Sequence, residues 1–156
     1  MASTTDHTIF LSGAQPFNIE GRVQEDYGSG TILPGYLIEY DTNEFLVAHA
    51  TGTGWHQRMV ALENPFDDAN TTAAIDSAYL TADTVRYLYA QPGDLLYMYL
   101  ANGETAVRGR SRLVSNGDGT LRVSTSGSAD LIIVGVPHED LTNATGSAAR
   151  LRVRIV

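Results

Sequence analysis

Neither cysteine nor lysine occurs among the 156 residues. The missing cysteine excludes a disulfide framework, a thiolate nucleophile and a cysteine-ligated zinc site. The missing lysine excludes a Schiff base, a phosphate-loop lysine, and biotin or lipoyl attachment on this chain. All ten cationic residues are arginines, set against 18 acidic residues for a net charge of −8. A chain this negative repels phosphate backbones, so nucleic acid is not an expected partner. Long apolar runs are missing too. Nothing approaches the roughly 18 residues that a membrane-spanning helix needs, and no membrane partner is expected. Met1 to Gln15 has no basic cluster followed by an apolar run, so it does not read as a signal peptide. The sequons at Asn70-Thr71-Thr72 and Asn143-Ala144-Thr145 then lack a secretory context and read as chance.

What is present is alternation and punctuation. Tyr36, Ile38 and Tyr40 point one way and Leu37 and Glu39 the other. Asp41-Thr42-Asn43 turns the chain, and Glu44 to His49 resumes as an extended partner. Gln57 to Glu63 reads as a strand. Thr84 to Ala90 alternates up to the turn Gln91-Pro92-Gly93-Asp94, and Leu95 to Leu100 follows as an apolar run buried on both sides. Asn116-Gly117-Asp118-Gly119 is the strongest hairpin signal, joining Arg112 to Ser115 with Leu121 to Ser124. Leu131 to Val136 reads as a core strand, His138 to Ser147 as a loop, and Ala149 to Val156 as a closing strand in strict alternation. Thr72 to Leu80, capped by Thr71 or Thr72 and rich in alanine, is the one short helix candidate.

The expected fold is therefore mainly β, a single-domain barrel or sandwich with short turns and at most one short helix. An extended N-terminal arm, residues 1–19, would precede a β domain spanning residues 20–156. Within the arm Thr8 to Leu11 could form a short strand, while Gly13 and Pro16 break regular structure, and the arm is expected to lie loose or on a neighbour, dispensable to the fold.

No chemistry-bearing constellation emerges. His7, His49, His56 and His138 are scattered, and the glycine loop between His49 and His56 fixes no ligand geometry, so no metal or cofactor is expected. No G-x-S-x-G elbow is present, and Gly28-Ser29-Gly30 and Gly52-Thr53-Gly54 read as turns rather than phosphate loops. The chain is not expected to be an enzyme. The closing strand is the most informative surface feature. Arg150, Arg152 and Arg154 share one face and Leu151, Val153 and Ile155 the other. That arginine row is either a solvated stripe or a set of contacts to carboxylates of a neighbouring subunit. Tyr36 and Trp55, near loops or strand ends, are equally suited to a subunit interface or to core packing.

The order of turn motifs carries a resemblance. Gly21-Arg22-Val23, Ile32-Leu33-Pro34-Gly35-Tyr36-Leu37-Ile38-Glu39, Ala61-Leu62-Glu63-Asn64-Pro65-Phe66 and Ile75-Asp76-Ser77-Ala78-Tyr79 come first. Val85 to Asp94, Gly103-Glu104, Leu113 to Leu121 and Ala149 to Val156 complete the series. In this order they resemble the capsid decoration, or cement, proteins of tailed bacteriophages. The likeness spans residues 20 to 156, and departs at Gly109-Arg110-Ser111, where the family often shows a Gly-Asp-Pro step. It implies a small β-barrel-like domain on the outer surface of the virion capsid. Such a protein would gather as a homotrimer and bridge major capsid protein subunits through several weak contacts. Arg150, Arg152, Arg154, Trp55 and Tyr36 would then be the interface residues. A ligand- or carbohydrate-binding β-barrel, using Trp55 and the tyrosines, is the other reading.

Overall fold

The computed structural model describes residues 9–12, 22–52, 56–65, 73–125 and 132–156. They form thirteen strands: β1 (Phe10–Ser12), β2 (Val23–Tyr27), β3 (Leu37–Tyr40), β4 (Leu46–Ala48), β5 (Met59–Ala61), β6 (Thr84–Tyr89), β7 (Leu95–Leu100), β8 (Thr105–Ala106), β9 (Leu113–Ser115), β10 (Leu121–Val123), β11 (Gly135–Pro137), β12 (Leu141–Thr142) and β13 (Ala149–Ile155). The protein is mainly β, as the alternation implies, and no α-helix occurs among the described residues.

The larger sheet runs β1-β7-β10-β9-β11-β13. β13 also pairs antiparallel with β7 along all of β7, from Ala149↔Leu100 to Arg154↔Leu95, closing β7, β10, β9, β11 and β13 into a five-strand barrel. A second sheet runs β2-β6-β5-β3-β4. Its two ends meet where Gly28 bridges Leu46 and the Ser29 N–H donates to the Leu46 carbonyl at 2.8 Å. β8 and β12 form a separate two-stranded pair.

Alternation sets the core. On β7, Leu96, Met98 and Leu100 are fully buried while Leu95, Tyr97 and Tyr99 are half-buried. Register places Met98 opposite Leu151 and Leu96 opposite Val153, and both pairs join Leu113, Leu121 and Val134 in the larger apolar cluster. The second sheet is apolar on both faces. Leu37, Val60 and Leu88 enter that cluster, whereas Ile38, Met59, Val85 and Tyr87 close on Ile32, Leu46 and Tyr79. This two-sided burial is why Met59-Val60-Ala61 is continuously apolar rather than alternating. Burying each large side chain contributes about 1.5–3 kcal/mol.

The Pro34-Gly35 step fits the second sheet against β7. Gly35 has φ +95°, and a Cβ there would stand 2.7 Å from the Tyr97 carbonyl oxygen, so only glycine is accommodated.

Two expectations are corrected. Residues 73–80 are not helical: the N–H groups of Asp76 and Ser77 both donate to the Ala73 carbonyl, forming a single turn. The chain then extends, with Tyr79 and Ile32 exchanging both backbone hydrogen bonds at 2.8 and 3.0 Å. Alanine propensity supplies only tenths of a kcal/mol and a short helix carries a nucleation cost, so burial of Ile75 and Tyr79 decides the conformation. The N-terminal arm is corrected for its described part. Ile9 is fully buried, its carbonyl accepts the Tyr97 N–H at 2.7 Å, its N–H donates to Glu63, and Phe10–Ser12 pairs with β7. The rest of residues 1–19 lies outside the described residues.

Candidate functional site

The arginine face of β13 is engaged by this chain's own groups. The side chain of Arg150 is only 12% exposed. It lies over the Tyr99 ring with Cζ 4.5 Å from the centroid, pairs with Asp76 at 2.5 Å, and donates to the carbonyls of Pro34 and Ile75. Arg152, half-exposed, holds Glu139 Oε2 through Nε and Nη2 at 3.1 and 3.0 Å, while its N–H donates to Oε1 of the same carboxylate at 2.7 Å. Arg154 donates to the Gly93 carbonyl at 3.1 Å. The carboxylates required to relieve repulsion along the row therefore come from Asp76 and Glu139. The row still leaves a positive local field: burial first, then Arg108, Arg154 and Arg152, hold His138 below the ordinary histidine range.

Tyr36 also faces its own molecule. Its ring meets Tyr99 edge-on at 5.5 Å and covers Gly119, where a Cβ would stand 2.5 Å from the ring. Burial, with help from Asp118 and Tyr99, pushes its phenol pKa upward. Trp55 and His7 lie outside the described residues.

The hairpin at Asn116–Gly119 forms as its sequence implies, with β9 and β10 antiparallel. Asp118 spends its oxygens within the turn, accepting from the Thr120 N–H at 2.9 Å and from Asn116 Nδ2 at 3.1 Å. Asn143 is buried and its Nδ2 donates to the carbonyls of Leu100, Ala101 and Ser147. Its amide is a structural clamp closed to a glycan. Among the described residues no three His, Asp or Glu side chains converge on a metal position.

Two histidines that sequence spacing left unrelated do meet. β4 delivers His49 and the chain entering β5 delivers His56, and their rings pack edge to face at 6.0 Å. His49 Nδ1 lies 2.7 Å from Ser115 Oγ, and its Nε2 lies 3.6 Å from Glu39 Oε2. This order of acid, base and hydroxyl resembles a hydrolytic triad, but both Ser115 and His49 are buried and Ser115 Oγ already accepts the Gly117 N–H at 3.2 Å. No substrate carbonyl can reach that oxygen, so the group works as a polar brace between the two sheets.

His56 lies beside a cleft of about 370 Å³ lined also by Gln57, Arg58, Tyr89 and Ile132. His56 is 6% exposed. Nδ1 accepts the Arg58 N–H at 3.3 Å, and Nε2 has no hydrogen-bond partner. Burial, then His49 and Arg58, lower its pKa to about 4. Between pH 4 and 6.5 the unfolded chain therefore holds one proton more than the folded one, and stability rises with pH across that window. Acidifying from pH 7 to 4 is expected to remove on the order of 2–3 kcal/mol through this ring. Urea unfolding across that range checks it, and the acid limb should flatten in His56→Phe.

Arg58 and Tyr89 were not legible as site residues. Arg58 takes a left-handed φ of 54°, which no local sequence signal marks. No protein-family model matches the chain, and no curated protein matches it.

Proposed function

We propose that this chain is a capsid decoration protein, which binds the outside of an assembled phage head as a homotrimer and stabilises it by bridging major capsid protein subunits. The order of turn motifs suggests the reading. One observation carries it further: a β domain whose β13 arginine row is engaged by the chain's own groups, yet which presents large apolar side chains at one seam. Tyr27, Phe45 and Leu80 are 59%, 42% and 60% exposed. They flank the place where Gly28 meets Leu46 and accepts the Ala82 N–H. Clustered exposed apolar groups on a small domain favour a protein contact over solvent. On a fixed lattice, several such patches sum to tight attachment without any one being strong.

Co-sedimentation with expanded heads of the phage that encodes the chain tests the reading. Wild-type protein should pellet with heads and raise their resistance to heat or osmotic shock. Leu80→Glu should reduce binding at least tenfold with little change in melting temperature, because Leu80 contributes almost nothing to the core. Arg152→Glu should also weaken attachment. Its folding cost should stay within about 1 kcal/mol, since an exposed ion pair contributes little. Wild-type protein that ignores the heads would end the capsid reading.

A further inference from the structure

We propose that the cleft formed by His56, Arg58 and Tyr89 is a carboxylate-binding site. The inference stands on the cleft alone and is independent of the capsid reading.

The first ground is donor chemistry. Because His56 Nδ1 accepts the Arg58 N–H, the neutral imidazole carries its hydrogen on Nε2. That N–H is buried and makes no hydrogen bond in this structure. The Ile132 backbone raises the ring's pKa, against burial, His49 and Arg58, which lower it by more. An unmade hydrogen bond at a buried donor costs on the scale of its lost hydration, so a ligand acceptor there recovers what folding gave up.

The second ground is charge. Arg22, Arg86, Arg150 and Arg152 each pair with a carboxylate of this chain. Arg58 is half-buried at the same cleft, and none of the ion pairs among the described residues involves it. A guanidinium offers donors only. Among the described lining residues the charged group, Arg58, and the buried polar group, His56, both offer donors, which fits a ligand that only accepts, and a carboxylate presents two such oxygens in the plane that guanidinium matches.

The third ground is backbone strain. A β-strand entry does not call for arginine at φ 54°, yet the conformation is pinned by the Ala90 N–H on the Arg58 carbonyl at 2.9 Å and by the His56 contact. Non-glycine residues held in this region concentrate at ligand sites. The exposed ring of Tyr89, braced edge-on by Tyr87 at 5.6 Å, walls the cleft and leaves it open to solvent.

Titration of the full chain with glutarate, followed at the His56 imidazole by NMR, tests the site, with glutaramide as the uncharged analogue of the same shape. Glutarate should shift the His56 signals saturably, and glutaramide should bind at least tenfold more weakly. Arg58→Gly is the decisive variant. It removes the guanidinium and relieves the left-handed strain together, so its melting temperature should equal or exceed wild type while glutarate affinity falls at least tenfold. Arg58→Lys should fall between. A short oligoglutamate peptide binding more tightly than glutarate would mark a partner's acidic side chains as the source, and weaker peptide binding would mark a free organic acid. Glutarate that leaves His56 unmoved, equal binding of the diamide, or undiminished affinity in Arg58→Gly would overturn the proposal.

Discussion

Removing residues 1–12 is expected to lower the melting temperature by about 10 °C, because the segment that reads as a detachable arm contains part of the core. Ile9 is fully buried among residues of the larger cluster, including Leu37, Leu96 and Val153. Deleting a buried isoleucine side chain costs about 2–5 kcal/mol, and a chain of this length loses roughly 2–4 °C per kcal/mol. The truncation also strips the strand pairing from the edge of β7 and leaves Glu63 without the Ile9 N–H it accepts. Thermal unfolding by circular dichroism checks this against Ile9→Ala, which should reproduce half or more of the loss. A decrease under about 3 °C in the truncated chain would show that Ile9 does not anchor the barrel.

The second large effect is expected at Asp94. Its carboxylate is buried and accepts from Arg22 Nη1 at 2.6 Å and Nη2 at 3.4 Å, and from the Gln91 N–H at 2.8 Å. Arg22 is mostly buried as well and lies over Phe10 at 6.0 Å, so the pair ties the start of β2 to the β6–β7 turn and to β1. Asp94→Ala leaves a guanidinium without its counter-charge and a turn N–H without its acceptor, at a cost of about 3–5 kcal/mol. Replacing both members, as Arg22→Met with Asp94→Ala, should recover much of that loss, because the penalty lies in the stranded charge rather than in the absence of the bond. Urea midpoints for the two single variants and the double measure the coupling. A single-variant loss below about 1 kcal/mol would place the pair in solvent-like surroundings.

Asp94 also shows how far the sequence reaches. Gln91-Pro92-Gly93-Asp94 announces a turn by local chemistry, and the turn is there, with the Asp94 N–H on the Gln91 carbonyl at 3.0 Å. Nothing local announces Arg22 as the partner of that carboxylate. The paired strands β3 and β4, the β9–β10 hairpin and the alternating β13 were legible for the same reason as the turn: period-two patterning and turn residues act over a few positions. β2, β8 and β12 were not legible. Val23–Tyr27 is polar through its middle, and β8 and β12 span two residues each, too short for any pattern.

The candidate site divides along the same line. The arginine row was read correctly as one face of a strand, but its carboxylates, Asp76 and Glu139, arrive from other parts of the chain. His49 and His56 were noted as a pair without geometry. Their contact, the Ser115 and Glu39 brace and the donor-lined cleft all arise from strands and loops brought together by the packing of the two sheets.

By itself, then, the sequence determined a mainly β chain, free of cysteine and lysine chemistry, with its hairpins and inward-facing side chains set by alternation. Tertiary structure alone decided that β13 closes on β7, that Ile9 belongs inside, that 73–80 extends rather than coils, and that an arginine and a histidine share a cleft. Local rules act through the dihedral preferences of neighbouring residues, whereas these outcomes depend on which distant surfaces bury together, and that free energy is summed over the whole fold.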